Sequence, residues 1–597
     1  MLAVLVLVLA PQEPPKPGPA RYAEMDHGPF FTGTIDSGFP SKKSLVLKGL
    51  VLRLDRESGA AACFDLELLK VASAWTGGFL SFPAGRDGIE GQPAAAGAVQ
   101  FGAPPDRLGW ASAAGDFRDP RALPYGPLPE GHARWRGLAL HGERAILRYD
   151  AAGAEVREVL GYETSFFTRT LELGPSPREA RLLLAEGESA RRVERMLVLD
   201  RGAVVTAAAL LSGPEGALLE TRDARAELVL PARKETARVK LAFWTGPPEG
   251  LEAFARAAKA SPPPEDLAAL ERGGGGPRWP EAVELEGKLG EGDGVYVVDT
   301  LPVPFQNPWK SYMRLSAFDF FPNGRSAAVA TFDGDVWIVS GIDAELKRVR
   351  WKRFATGLFQ PLGIRIVDET MFVTCRDQLT RLRDRDGDGE ADLYECVNND
   401  VQIGPNFHEF GMDLETDREG WFYFGKSASW PPKVVTPHEG TILRVSPDGK
   451  RFEVFATGVR NPNGLAFSPS GELWITDNEG HWTPTCWLGP ARKGQYLMTL
   501  LTAHREQAEE EYTKPLCWIP RDIDNSTGDL VWAPAEGWGP LGGSLLVLSY
   551  GTCSLFRVLR DGEQGSLVRL PLEFESGLIR ARFNPGDGQL YVAGLRA

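Results

Sequence analysis

The chain has 597 residues, 43% hydrophobic and 24% charged, with a formal net charge of −14 spread along its length. That is too much chain for one hydrophobic core, so two or three domains are expected. The absence of a basic face argues against nucleic acid or an anionic membrane surface as a partner.

In chain order, the N-terminus is an apolar run, Met1-Leu-Ala-Val-Leu-Val-Leu-Val-Leu-Ala, followed by a Pro-rich stretch up to residue 20. The run is too short for a membrane helix and suits the apolar core of an export leader, which predicts a periplasmic or extracellular protein. A buried first strand is the competing reading. No other segment approaches the roughly 20 apolar residues of a membrane span.

Residues 21–245 hold short alternating runs at 44–53, 145–149, 180–185 and 226–229, separated by Gly/Pro turns. They predict a β-sandwich-like domain. Residues 246–282 change character: Gly250-Leu-Glu-Ala-Phe-Ala-Arg-Ala-Ala-Lys-Ala is amphipathic, Ser261-Pro-Pro-Pro stops it, and a second short helix follows. This segment reads as a helical linker. From 283 to 597 a strand, a Pro/Asp/Gly turn and a second strand recur loosely every 45–55 residues. The copies begin near Phe318, Met412, Leu465 and Ile579. Such units bury their faces by packing around an axis, so the whole reads as an all-β chain ending in a β-propeller of about six blades. The chain stops just past a strand, which predicts an incomplete last blade from a truncated gene product.

The six cysteines contain no Cys-x-x-Cys, so neither a haem-attachment motif nor a thioredoxin-like pair is present. The sharpest local motif is Asp384-Arg-Asp386-Gly-Asp388-Gly389-Glu390-Ala-Asp392-Leu-Tyr-Glu395. Counted from Asp384, carboxylates fall at positions 1, 3, 5, 9 and 12, glycine at 6, and the Glu390 carbonyl is available at 7. That is the EF-hand loop pattern, and a structural Ca²⁺ pinning a propeller loop is expected.

Two further segments mix His or Arg with Asn and Gly at strand entrances: Asn406-Phe-His408-Glu-Phe-Gly411 and Gly458-Val-Arg460-Asn461-Pro-Asn-Gly464. A histidine so placed serves as a general base or is simply held in a turn. The run Arg460-Asn-Pro-Asn-Gly-Leu-Ala-Phe-Ser-Pro-Ser-Gly-Glu-Leu-Trp-Ile-Thr-Asp resembles a signature of the soluble quinoprotein glucose/sorbosone dehydrogenases, six-bladed propellers that bind pyrroloquinoline quinone (PQQ) and calcium. His408-Glu-Phe-Gly411 is similar to their His-x-x-Gly element. The resemblance implies that His408 is the catalytic base and that Arg460 and Asn461 hold the cofactor. The chain departs from that pattern at Met412, and at His481-Trp-Thr-Pro where the family continues with Pro and acidic calcium ligands.

The N-terminal half, through Tyr22-Ala-Glu-Met-Asp-His27, Trp75-Thr-Gly-Gly and Asp119-Pro-Arg-Ala-Leu-Pro, resembles an uncharacterised domain of exported bacterial proteins that continue into a propeller and often a cytochrome c module. Electrons would then leave this chain through a separate cytochrome c. His27 and Trp75 are candidates for a carbohydrate-binding surface, or for a buried turn.

Three functions stay open on the sequence. One is a quinoprotein-type oxidoreductase acting on a sugar or other alcohol. Another is a non-catalytic, calcium-stabilised propeller that binds a polysaccharide or protein. The third is a calcium-dependent hydrolase or lactonase using Asp413 and Asp477.

Overall fold

A computed structural model of the chain describes residues 2–7, 19–85, 88, 90–122, 125–292, 294–431, 433–480, 483–508, 511–572 and 574–595. The chain divides into two compact units. One comprises residues 27–278 with 384–396, the other residues 1–26, 279–383 and 397–597. Both are β-rich, and no helix among the described residues is long and apolar enough to cross a membrane.

The first unit is a sandwich. A seven-stranded sheet contains Phe30–Asp36, Leu45–Asp55, Ala60–Asp65 and Lys70–Thr76. It faces a second sheet that contains Ala133–His141, Arg144–Ala151, Ala154–Glu163, Phe166–Leu173 and Ala237–Gly246. Aromatic side chains bridge the sheets: Phe64 lies 5.8 Å from Tyr149, and Phe101 stacks on Phe243 at 4.7 Å. Inside, Glu158 accepts from Arg169 Nε at 2.6 Å and from the Tyr149 hydroxyl at 2.6 Å, so a buried carboxylate is matched on both oxygens.

The helical segment expected as a linker belongs to this unit. Helix Leu251–Lys259 buries Phe254 and Ala258 among Phe166, Val205 and Ala207. Leu267, at the start of helix Leu267–Arg272, sits among Ala139, Ile146 and Val159. Burying these apolar side chains fixes the boundary at residues 278/279 instead of 245. Residues 384–396 are also part of this unit. Leu393, Tyr394 and Glu395 pair antiparallel with Ala139, Leu138 and Gly137, so the acidic loop is not a propeller loop as expected.

The second unit is a six-bladed propeller. Its inner strands are Leu315–Phe320, Gly363–Val367, Gly411–Thr416, Gly464–Phe467, Thr527–Trp532 and Gly577–Phe583. Each packs against the next and the sixth against the first, closing the ring. Small residues permit the approach: a Cβ on Gly363 would fall 2.3 Å from the Asp413 backbone, and one on Gly464 would fall 2.7 Å from Asp529 Cα.

The last blade is not incomplete. Gly577–Phe583 and Leu590–Leu595 are joined in one four-stranded sheet by Leu2–Leu7 and Tyr296–Thr300. Leu2–Leu7 runs parallel to both of its neighbours, the competing reading of the apolar start. Residues 8–18, with the Pro-rich stretch, lie outside the described residues.

At the axis, alternate blades carry an aspartate that clips two inner strands together. Asp319 accepts from Phe320 N at 3.0 Å and, across the blade boundary, from Ile366 N at 2.8 Å. Asp413 does the same for Leu414 N (2.8 Å) and Leu465 N (2.9 Å). Asp529 does it for Leu530 N (2.8 Å) and Ala581 N (3.0 Å). Blade six answers these charges. Arg582 reaches Asp413 at 3.2 Å, Glu415 at 3.0 Å and Asp529 at 3.0 Å, while Arg580 donates to the Leu362 and Asn463 carbonyls at 2.7 and 2.8 Å.

Burial works against ionisation throughout this network. Burial and the neighbouring Asp413 push Asp529 far above the usual carboxylate range. At Asp413 burial is outweighed by Arg580 and Arg582, which hold it below that range. Replacing Arg582 with Ala removes the one side chain that contacts Asp413, Glu415 and Asp529 together, leaving Arg580 near Asp413 and Arg365 near Glu415 as the remaining counter-charges. We expect a loss of about 3–5 kcal/mol of propeller stability, read as a lower urea midpoint with the sandwich transition unmoved.

Candidate functional site

The acidic loop is a turn stiffened from within. Asp384 accepts from Gly387 N at 2.7 Å and Gly389 N at 2.9 Å, and Asp388 accepts from Glu390 N at 2.8 Å. Carboxylate oxygens of Asp384, Asp386 and Asp388 lie within 4.8 Å of one another. The other three expected ligands do not join them. Glu390 is buried on Arg278 N at 2.8 Å, and Asp392 takes Arg385 Nε at 3.0 Å. Glu395 is drawn into the strand pairing with Gly137. Pairing of the second half of the loop with the sheet separates the set that sequence spacing alone would group.

His27 and Trp75 do not form an exposed binding surface. His27 is 3% exposed and stacks on Phe82 at 4.6 Å. Trp75 is fully buried, with Nε1 donating to Gly78 O at 2.9 Å. They form the buried turn that the sequence left as the other reading.

In the propeller, His408, Arg460 and Asn461 meet through one segment, residues 427–430, which leaves strand Phe422–Lys426. His408 Nδ1 lies 2.8 Å from Ala428 O, and Ala428 N donates to Arg460 O at 2.8 Å. Ser427 Oγ donates to Asn461 Oδ1 at 2.6 Å. The Arg460 guanidinium lies over the Trp430 ring, 4.7 Å from its centroid, and Trp430 is 47% exposed. Among the described residues that guanidinium makes no ion pair. Asn406 fixes the arrangement: its Oδ1 accepts from His408 N at 2.9 Å and its Nδ2 donates to Trp430 O at 3.0 Å.

A carbonyl cannot donate, so the Nδ1–Ala428 contact places the ring proton on Nδ1. The lone pair of the neutral imidazole is then on Nε2, the form a general base requires.

Buried groups hold the loops from below. Arg376 donates to the backbone carbonyls of Gly404 (3.3 Å), Phe407 (3.1 Å) and Asn406. Lys426 donates to Glu409 O at 2.6 Å, and Glu409 accepts from Gly404 N at 2.8 Å. Burial lowers Lys426 to about 8 against the pull of Glu409. Asp477 anchors the other side, its oxygens accepting from Arg460 N at 2.9 Å and Asn461 N at 2.7 Å. Asp413 and Asp477, the hydrolase candidates, are thus both buried and committed to backbone amides. His481 and Trp482 lie outside the described residues.

Sequence reasoning singled out the segment that begins at Asn406 but gave that residue no role, and it missed Trp430 and Arg376. Only Trp430-Pro-Pro, an aromatic beside a helix-incompatible pair, was a visible signal.

Residues 62–158 match a family described as a domain of unknown function (DUF6797), and residues 319–519 match a second (DUF7133). No curated protein matches the chain. Among solved structures it is similar to a glucose dehydrogenase (15% identity, 48% of this chain and 94% of that one, TM-score 0.39). It is also similar to an oxidoreductase of Thermus thermophilus described as a glucose dehydrogenase (21%, 47% and 90%, 0.37). A third is the PQQ-bound aldose sugar dehydrogenase of Streptomyces coelicolor (18%, 45% and 85%, 0.35). These matches cover about half of this chain.

Burial raises Asp477 from 3.8 to about 7, although the backbone amides of Arg460, Asn461 and Asn478 and the Arg460 charge oppose it. Its folded-state pKa lies above the unfolded one, so its contribution is complete below about pH 4 and declines as the pH climbs towards 7. In urea titrations across that window, Asp477→Asn is expected to flatten the decline; an unchanged slope would assign it to other groups.

Proposed function

We propose that the propeller is an oxidoreductase that oxidises a hydroxyl of a sugar or other alcohol, with His408 as the base. The carrying observation is the Nδ1–Ala428 contact at 2.8 Å, which puts the lone pair of the neutral ring on Nε2, the atom that would take the hydroxyl proton. Trp430 offers an exposed aromatic face beside it for a pyranose ring.

A planar, polyanionic quinone fits the donor set. Arg460 supplies a guanidinium that no protein carboxylate claims among the described residues, on a ring wall, and Asn461 lies next to it. Pyrroloquinoline quinone, when bound, would accept the hydride from the substrate carbon. The protein's own part is then to hold the anion with Arg460, to fix the imidazole through Ala428 and Asn406, and to take the proton on His408 Nε2. A separate cytochrome c would serve as electron acceptor; the apolar start, paired as a strand of the last blade, does not add support for export.

The acidic loop fits a structural Ca²⁺ held by Asp384, Asp386 and Asp388, three oxygens already drawn together. A second function, a non-catalytic propeller that binds a polysaccharide or protein, is favoured by the axis itself, which Arg580 and Arg582 fill with buried ion pairs.

Calorimetric titration of the quinone, followed by dye-linked oxidation of a sugar panel, separates these readings. His408→Ala is expected to lower turnover roughly 100-fold or more with the quinone still bound, and Arg460→Ala to abolish quinone binding. No binding at high micromolar quinone would leave the binding propeller. For the loop, added calcium should raise the melting temperature of the sandwich unit and EGTA should reverse it. Asp386→Ala combined with Asp388→Ala should remove the shift, whereas a shift that survives places the ion elsewhere.

A further inference from the structure

Turns of the sandwich unit enclose a cleft of about 490 Å³, apart from every residue assigned above and of a size that suits a small molecule. Its polar lining comes from Ser112, Glu130, His132, Arg178, Glu179 and Arg181. The rest of the wall is Ala, Gly and Pro, so these six side chains decide what the cleft takes.

The charges divide into paired and unpaired. Arg181 is neutralised: its Nε donates to Glu179 at 2.9 Å, and its Nη1 to Glu220 at 2.8 Å and to buried Glu227 at 3.3 Å. Arg178 is exposed, and among the described residues its guanidinium makes no ion pair and no hydrogen bond. Its Nη2 lies beside Gly153, 3.8 Å from where a Cβ would stand. A guanidinium so placed presents a planar fork that fits a carboxylate with two parallel hydrogen bonds.

His132 lies within reach of that charge. Its Nε2 is 3.2 Å from Trp110 O. A carbonyl only accepts, so Nε2 carries the proton and Nδ1 keeps a lone pair. Burial, and then the charge of Arg178, lower the His132 pKa against the Trp110 contact, which leaves the ring neutral at neutral pH. Nδ1 is therefore a hydrogen-bond acceptor. The Glu130 carboxylate, exposed and unpaired among the described residues, is a second. Ser112 supplies a donor: its Oγ accepts from Ala114 N and Asp116 N, each at 3.3 Å, and its own proton has no acceptor among the described residues.

A ligand that satisfies this set carries a carboxylate for Arg178 and proton donors for Nδ1 and Glu130. Hydroxyls and an ammonium group both meet the second need, but the field of Arg178 that keeps His132 neutral also repels an ammonium beside it. Hydroxyls remain. We infer that this cleft binds a sugar acid, with its carboxylate on Arg178 and its hydroxyls on His132 Nδ1, Glu130 and Ser112. The site belongs to the sandwich unit and stands whether or not the redox reading of the propeller holds.

Calorimetric titration of the full chain with D-glucuronate, D-galacturonate and D-gluconate is the test. D-galactose, acetate and L-alanine serve as neutral, hydroxyl-free and zwitterionic comparators. At least one sugar acid should bind, and more tightly than all three comparators. Arg178→Gln should weaken it roughly tenfold or more and His132→Phe roughly tenfold, both with unchanged melting temperatures. Arg178→Lys should restore part of the loss. If His132→Phe fails to fold, the exposed Arg178 decides alone. No binding of any sugar acid at millimolar concentration, binding insensitive to Arg178→Gln, or a comparator that binds as tightly would each overturn the proposal.

Discussion

Six backbone amides on the inner strands of the propeller face the axis, where no ladder partner exists and burial without one is costly. Asp319, Asp413 and Asp529 resolve this, each accepting one amide from its own blade and one from the next. The blades are thereby clipped in pairs: one with two, three with four, five with six. The solution creates a new difficulty, since three buried carboxylates with Glu415 beside them repel one another. Arg365, Arg580 and Arg582 answer it, with 3.0 Å contacts from Arg582 to Glu415 and to Asp529.

The candidate site inherits its rigidity from this arrangement. Gly464, which follows Arg460-Asn-Pro-Asn, begins the strand whose next amide, on Leu465, is held by Asp413. Asn463, one residue earlier, is held by Arg580 at 2.9 Å. The loop carrying His408 is secured from beneath by Arg376 and by the Lys426–Glu409 pair. Reactive geometry needs such support, because a base that wanders loses the proton it should take. The exposed Trp430 and the Arg460 guanidinium stacked on it, which makes no ion pair among the described residues, stand apart from these supporting contacts.

The sandwich unit handles charge differently. Its interior carries several matched carboxylates, among them Glu158 with Arg169 and Tyr149, Glu67 with Lys48 and Asp119 with Arg121, while other charges pair near the surface.

Much of this was written locally. Alternating runs gave the strands, and the recurring strand–turn–strand unit gave the propeller and its six blades, because period and turn chemistry act over a few residues. That His408, Arg460 and Asn461 stand at strand entrances was legible in the same way, whereas the roles given to them came from the resemblance alone. The tertiary structure decided whatever depends on distant partners. Pairing with Ala139–Gly137 took Glu395 out of the acidic loop, and Phe254 and Leu267 turned an apparent linker into core. The same holds at the axis, where Asp413, an ordinary strand residue by its neighbours in sequence, joins Arg580 and Arg582 from more than 160 positions away. Spacing along the chain reports which side chains share a face, but burial and charge matching are settled only when remote segments meet.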